Sequence, residues 1–375
     1  MVLAQTRIYV AEIVNKERIP WIDNEKGFIL IGVCLGHIGF KWNIFPYLST
    51  FHMAAFFFLS GMLFNPNREW GEFVRAKCKN LLLPYVALSL LFLFISPPLY
   101  QFAVHYPGTE WQNRIASMIT DNQYLHSLFV QIQIYLLDII NGHSAPYVDA
   151  LWFVYTLFQL NILWFFPVLW IAKSKYSSYI LGLVTVCCFI LGWLLYMKAI
   201  HIPFKIDIVI TSSAFFIGGF VFHKLIPYVR NFSYQSVLLL ILGLAGVYYY
   251  GVSHIPVHKI DYILNILHKN LLAYFSVSWG GTLLLTLLFI MLGKINRSFY
   301  VGRFLRYISL NGIAFLAIHE YVKYLMKWMA NYFQMQVLAN NWLILFAIGV
   351  VCAISFPLIN KYLYFLVGKK KPQYI

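Results

Sequence analysis

Charged residues are scarce in this chain of 375 residues. Lys, Arg, Asp and Glu together make up 11% of the sequence, hydrophobic residues make up 61%, and the mean hydropathy is +0.70. Average soluble domains carry about 25% charged residues. Here the apolar residues also recur in long blocks. The composition therefore excludes an ordinary soluble domain and indicates a polytopic, all-α membrane protein.

Cysteine is also scarce, with five residues in the whole chain. Cys34, Cys187, Cys188 and Cys352 lie in apolar blocks, and Cys78 lies in a basic connection. No CxxC pair or other metal-ligand spacing is present. The sequence therefore predicts neither a disulfide framework nor a metal site.

Acidic residues are fewer than basic ones, 13 against 28, which gives a net charge of +15. The basic residues lie between apolar blocks and form no patterned stripe. This distribution favours membrane topology signals over a nucleic-acid surface, so we expect no nucleic-acid partner.

About ten apolar blocks are long enough to span a bilayer. They run near 27–45, 49–65, 80–98, 150–172, 178–197, 206–223, 235–251, 271–293, 308–328 and 341–367. With the N-terminus in the cytoplasm, 20 of the 28 Lys and Arg fall on the cytoplasmic side. These are Arg7, Lys16, Arg18, Lys26, Arg68, Arg75, Lys77, Lys79, Lys173, Lys175, Lys224, Arg230, Lys294, Arg297, Arg303, Arg306, Lys361 and Lys369 to Lys371. The positive-inside rule thus predicts that both termini are cytoplasmic.

One integral domain accounts for residues 1–375. It has a cytoplasmic N-terminal segment at 1–22, an extracytoplasmic loop at 99–149 and a basic cytoplasmic tail at 368–375. No cleavable signal peptide is expected, because the first residues are polar and mixed. The loop is rich in aromatic and polar residues, which suit a sugar surface and an interfacial aromatic belt equally well.

The first apolar block is the most informative, since it carries His37 near its far end and Lys26 at its entrance. Eleven helical residues make about three turns, so both side chains lie on one face about 16 Å apart, with Asp23 near the same stripe. Ionisable groups inside a membrane are costly and are usually kept for ion passage, proton relay or chemistry. The alternative is a buried histidine bonded to a neighbouring helix, with Lys26 as an end anchor.

A second candidate site lies in the connection 65–80, where Arg75, Lys77 and Lys79 are crowded before the sequence LLLPY. Such a cluster can bind the phosphates of a nucleotide-containing donor through charge-assisted hydrogen bonds. It can equally be a topology determinant attracted to anionic lipid. Both readings stay open from the sequence.

Five segments follow one another in the chain. They are WIDNEKGFILIGVCLGH, FHMAAFFFLSGMLF, LLLPY, LWFVYTLF from Leu151 to Phe158, and FLRYISLNGIAFLAIHEYV from Phe304 to Val322. Taken in this order, they resemble the acyltransferase-3 family of integral membrane acyltransferases. The resemblance covers essentially the whole chain. Lys26 stands where the family commonly has an arginine, separated from its histidine by ten intervening residues, as in the branch that resembles bacterial sugar O-acetylases. No GDS-type hydrolase region follows, so the chain is similar to the stand-alone form.

The resemblance implies an O-acetyltransferase of a bacterial plasma membrane. Acetyl-CoA on the cytoplasmic side would donate its acyl group to a hydroxyl of a surface or lipid-linked glycan. His37 would act as general base or transient acyl carrier. Lys26 would orient the donor, Asp23 would fix Lys26, and Arg75, Lys77 and Lys79 would hold the coenzyme A phosphates. Further candidates for lining the cavity are His52, Ser60, Trp152, His319 and Glu320.

Two rival interpretations remain at this stage. A transporter or flippase of a lipid-linked sugar or small solute would use the same polar stripe as a substrate path, but it predicts internal repeats, and we find none in the sequence. A structural subunit of a membrane complex would explain the hydrophobicity and leave the charged stripe unexplained. His319 and Glu320 can likewise be read as a polar pair near a helix end.

Overall fold

The computed structural model describes residues 19–40, 45–95, 128–144, 147–255, 260–262, 265–295 and 300–369. Over these residues the fold is all-helical, without a β-strand, and a lone antiparallel bridge joins Asp261 to Ile266. The helices are α1 (Pro20–Ile38), α2 (Phe45–Ser49), α3 (His52–Met62), α4 (Trp70–Ile95), α5 (Leu128–Ile140), α6 (Asp149–Ala172), α7 (Ser177–Met197), α8 (Pro203–His223), α9 (Ile226–Asn231), α10 (Tyr234–His254), α11 (Leu271–Gly293), α12 (Tyr300–Leu310), α13 (Gly312–Tyr332) and α14 (Asn341–Tyr362). The predicted all-α transmembrane bundle is confirmed.

The described part of the chain contains fewer candidate spans than the ten or so that the sequence predicts. Within the described ranges, seven helices are long and apolar enough to cross a membrane, and α12 with α13 would make an eighth. They are α4, α6, α7, α8, α10, α11 and α14. About ten spans is therefore not confirmed. Helix α1 carries Asp23, Glu25 and Lys26 in its first half, and the 11 residues of α3 extend about 16 Å, half of a hydrocarbon core of roughly 30 Å.

Parts of three predicted segments lie outside the described residues. They are 1–18 of the N-terminal segment, 99–127 and 145–146 of the loop, and 370–375 of the tail. The described part of the loop contains α5, which packs on α4. The hydroxyl of Tyr85 in α4 donates to the carbonyls of Ile139 at 2.7 Å and His143 at 3.0 Å.

The centre of the bundle is α3, in which all but two residues are buried. It packs tightly on α8 through paired glycines. A Cβ on Gly61 would collide with the carbonyl of Phe216, and a Cβ on Gly219 would collide with the carbonyl of Phe58. Small residues allow two backbones to approach in this way when apolar solvent offers no hydrophobic driving force. Helices α7, α10 and α14 lie at the periphery, because only 17–22% of their most apolar stretch is buried, against 61–67% in α8 and α11.

Helix α1 packs beside α3 and meets α11, α12 and α13. Gly27 of α1 lies against the backbone of Leu305 in α12, where a Cβ would collide with the carbonyl oxygen. Helices α12 and α13 meet at an angle of 84° across Asn311. This bend lets α12 pack on the first half of α1 and α13 approach its last turn.

Candidate active site

His37 lies in the last helical turn of α1, and the local sequence fixes that position. Gly39 adopts a left-handed conformation with φ of 88°, and its N–H donates to the carbonyl of Gly36 at 3.1 Å. The N–H of Phe40 donates to the carbonyl of Leu35 at 3.3 Å. This pair of bonds is a Schellman motif, which ends a helix where glycine follows it. The imidazole is therefore held at one end of α1, about 16 Å along the axis from Lys26.

A polar face of α13 lies directly behind His37. The polar side chains on this face are His319 and Lys323, which are four residues apart, and Glu320 lies beside them. Phe315 precedes His319 by one turn on the same face. Nδ1 of His37 is 3.1 Å from Nε2 of His319. The two rings are stacked, with centroids 5.3 Å apart and planes inclined by 22°. His319 is fully buried, whereas the side chain of His37 is 36% exposed.

The hydrogen-bond partners of the two histidines assign their protons. Nδ1 of His319 lies 2.8 Å from the carbonyl of Phe315, which can only accept, so this nitrogen carries the proton. Neutral His319 then has a bare Nε2, and the contact to His37 requires that Nδ1 of His37 donates. Neutral His37 consequently has its lone pair on Nε2. That is the atom able to accept a proton or an acyl group.

Glu320 links this pair of histidines to α6. Its Oε2 accepts from the backbone N–H of Ala150 at 2.6 Å. Its Oε1 lies 3.4 Å from Nδ1 of His37 and 3.7 Å from Nζ of Lys323. Glu320 and Lys323 are both buried. A carboxylate held beside the protonated nitrogen of a histidine stabilises the imidazolium that forms when the other nitrogen accepts a proton.

A cavity of about 400 Å³ lies in front of His37, and we call it the His37 cavity. Its polar lining comprises His37, Ser49, His52, Asp149, Asp261, Glu320 and Lys323, and its aromatic lining includes Trp152, Phe153, Tyr262 and Tyr324. Nδ1 of His52 lies 3.2 Å from the carbonyl of Leu48 and therefore donates to it. This bond leaves Nε2 of a neutral His52 as a second candidate base.

A second cavity, of about 280 Å³, lies at the Lys26 end of α1, and we call it the Lys26 cavity. Its polar lining comprises Lys26, Ser60, Ser309, Asn311 and Lys369. Phe56, Phe153 and Leu316 line both cavities and form the wall between them. The rings of Phe56 and Phe153 have centroids 5.0 Å apart.

The residues singled out in the sequence thus divide between the two cavities. The His37 cavity brings together His37, His52, Trp152 and Glu320, and His319 supports it from behind. The Lys26 cavity contains Lys26 and Ser60. Four other predicted residues, Asp23, Arg75, Lys77 and Lys79, lie in the described part of the chain but line neither cavity.

The basic cluster lies on the first half of α4. Arg75 and Lys79 are exposed, and Nζ of half-buried Lys77 lies 5.1 Å above the ring of Phe73. Leu81, two residues after Lys79, lines the Lys26 cavity, so the cluster lies near that cavity.

Sequence reasoning missed four polar residues of the His37 cavity, Ser49, Asp149, Asp261 and Lys323. Lys323 had a detectable signal, because it follows His319 by four residues on a single helix. It also missed Glu25, which is fully buried and accepts from the hydroxyl of Thr286 in α11 at 2.8 Å. Among the side chains that the structure describes, no group of three or more His, Cys, Asp and Glu could hold a metal ion.

The fold and these cavities define a helical membrane protein in which an imidazole lies between a cavity and a buried polar face. The family model described as an acyltransferase domain matches residues 19–360, and the chain belongs to the acyltransferase-3 family. It is therefore an integral membrane acyltransferase. Neither the curated proteins nor the solved structures include a match to it.

Proposed function

We propose that the chain is an O-acyltransferase of a bacterial plasma membrane. It moves an acyl group, most simply acetyl, from cytoplasmic acyl-CoA to a hydroxyl of a surface or lipid-linked glycan. The observation that carries this proposal is the bare Nε2 of His37, supported from behind by His319 and Glu320. The separate Lys26 cavity, which contains two lysines and shares an apolar wall with the His37 cavity, offers a place for the donor.

The chemistry starts at Nε2 of His37. As general base, it takes the proton of the acceptor hydroxyl, and the hydroxyl oxygen attacks the thioester carbonyl carbon. An ester C–O bond forms, the C–S bond breaks, and the imidazolium returns the proton to the coenzyme A thiolate. As transient acyl carrier, the same nitrogen attacks the thioester carbonyl carbon, an N–C bond forms, and the C–S bond breaks with release of the coenzyme A thiolate. The acceptor hydroxyl then attacks the acyl carbon, the N–C bond breaks, and the hydroxyl proton passes through the freed imidazole to the thiolate. Both routes place positive charge on the imidazole, beside the carboxylate of Glu320.

The acceptor is proposed to lie in the His37 cavity. The rings of Trp152, Tyr262 and Tyr324 can pack on the apolar face of a sugar, and the carboxylates of Asp149 and Asp261 can accept from its hydroxyls. The donor is proposed to lie in the Lys26 cavity, with Lys26 orienting it. The role of Asp23 in fixing Lys26 stays a prediction.

The direct test of the proposed function is mass spectrometry of surface glycans from cells with and without the gene. We expect an ester-borne mass difference, whose size identifies the acyl group. Glycans identical in both strains, together with solute flux through the purified protein in vesicles, would support the transporter interpretation instead.

We predict that both termini are cytoplasmic, because 20 of the 28 Lys and Arg fall on that side. The test introduces single cysteines at exposed positions in a variant without native cysteines, and labels whole cells with a membrane-impermeant reagent. His201→Cys, between α7 and α8, should be labelled in intact cells. Lys175→Cys, between α6 and α7, should be labelled only after lysis. The reverse pattern would invert the orientation.

We predict that the cluster Arg75, Lys77 and Lys79 binds the donor. Replacing all three residues with Gln should weaken acyl-CoA binding, because each lost phosphate contact removes a charge-assisted bond of roughly 1.5–3 kcal/mol. The measurement is the Kd for acyl-CoA in neutral detergent. A matched control replaces Lys173 and Lys175, on another connection of the same predicted side, with Gln. If both variants bind acyl-CoA with equal affinity, the cluster does not bind the donor and serves only as a topology signal.

A further inference from the structure

A half-buried polar cluster joins the end of α14 to the bend between α12 and α13. Nζ of Lys369 donates to Oδ1 of Asn311 at 2.8 Å and to Oδ1 of Asn360 at 2.5 Å. Nδ2 of Asn360 donates to the same oxygen of Asn311 at 3.0 Å. Nδ2 of Asn311 in turn donates to the carbonyl of Tyr307 at 2.9 Å. These bonds hold the ammonium group of Lys369 in one place.

The backbone after α14 is shaped to bring Lys369 there. A 3₁₀ turn, Tyr364–Val367, is followed by Gly368 in the left-handed region with φ of 70°. The N–H of Lys369 then donates to the carbonyl of Tyr364 at 2.8 Å. A Cβ on Gly368 would collide with the backbone of Asn80 in α4. Glycine is therefore required at this position both for its conformation and for the close approach.

Lys369 and Lys26 both line the Lys26 cavity. Both amide oxygens that accept from Lys369 are neutral, and these two bonds orient its ammonium group. Because ordering a lysine side chain costs conformational entropy, a lysine that is already ordered by the protein loses less entropy when a ligand binds to it. An oriented ammonium group in the wall of a cavity that also contains Lys26 favours an anion as the ligand.

We propose that Lys369 binds a phosphate of the acyl-CoA donor and that Asn311 and Asn360 position its ammonium group for this contact. The inference rests on the proposed function, because it takes the Lys26 cavity as the donor site. It adds to that site a residue from the segment after α14.

The test measures the Kd for coenzyme A in neutral detergent without added lipid. Lys369→Gln should weaken binding roughly 10- to 100-fold, which is the loss of one charge-assisted phosphate contact. Lys369→Arg, which keeps the charge, should stay within a few fold of the wild type. The matched control is Lys361→Gln, an exposed lysine of α14, which should leave the Kd unchanged. Dephospho-CoA and phosphopantetheine identify the phosphate, since a ligand that lacks it should bind Lys369→Gln and the wild type alike.

A second measurement needs no variant. An amine-reactive label, read by peptide mass spectrometry, should modify Lys369 less when coenzyme A is present, and Lys361 to the same extent in both conditions. If the wild type binds coenzyme A while Lys369→Gln binds equally well and Lys369 gains no protection, this inference fails and the proposed function stands. If the wild type binds neither coenzyme A nor acetyl-CoA, this inference and the proposed function fail together.

Discussion

His37→Ala is expected to lower acyl transfer by roughly 10²–10⁴ without loss of folded protein. Alanine can neither accept a proton nor carry an acyl group, and general acid–base assistance is typically worth that factor. The side chain is 36% exposed to the His37 cavity, so its removal leaves no closed void in the core. The measurement is transfer per folded molecule, with folding judged by monodisperse elution in detergent.

The matched control is His254→Ala, an exposed histidine at the end of α10, which should keep full activity. A histidine that serves only the structure behaves differently from a base, since its loss lowers folded yield and activity together. A His37→Ala protein that elutes normally and transfers the acyl group at nearly the wild-type rate would contradict the assignment of His37 as general base or acyl carrier. His52, which lines the same cavity, would then be the next candidate base.

Glu320→Gln is expected to lower kcat by roughly 10²–10⁴ while the KM for the donor stays within a few fold. The amide keeps the volume and can still accept from the N–H of Ala150, but the negative charge 3.4 Å from Nδ1 of His37 is lost. The imidazolium formed during transfer then has no carboxylate beside it, as in triads that lose their acid. The measurement is steady-state kinetics on protein of matched elution, with exposed Glu69→Gln as the control.

A second variant separates charge stabilisation from simple structural loss. Glu320→Gln removes a carboxylate 3.7 Å from Nζ of buried Lys323, which by itself destabilises a fold. The double variant Glu320→Gln with Lys323→Met removes both charges. If the loss of activity came only from the isolated lysine, the double variant would recover it. We expect recovery of thermal stability without recovery of kcat.

The helical class of the fold was predictable, because apolar blocks and scarce charge are properties of the sequence itself. The position of His37 was also accessible, since an ionisable residue near the end of an apolar run is visible in one dimension. The number of spans could not be predicted from hydropathy in the same way. Hydropathy does not tell an 11-residue helix enclosed by protein, such as α3, from a segment that crosses lipid.

The partners of His37 were less accessible, because they depend on contacts across 282 and 283 positions of the chain. His319 and Glu320 stood out as polar residues in an apolar run, but the 84° bend before α13 decides that they face His37. The bond from the N–H of Ala150 to Glu320 is a backbone contact and leaves no trace in residue type. The division of Lys26 and His37 between two cavities was likewise hidden, since their shared helical face suggested one continuous site.

The wall formed by Phe56, Phe153 and Leu316 also bears on the electrical insulation of the membrane. Polar cavities at both ends of one bundle would conduct ions if water joined them, and a narrow apolar constriction prevents this by staying dry. Three uncharged side chains, two of them aromatic rings with centroids 5.0 Å apart, line both cavities and separate them. Moving a neutral acyl group into such an apolar barrier costs little desolvation free energy. Moving a hydrated ion or the phosphates of a nucleotide into it costs much more. Under the proposed function, these three side chains would let an acyl group move from the Lys26 cavity to the His37 cavity while keeping ions from passing between them.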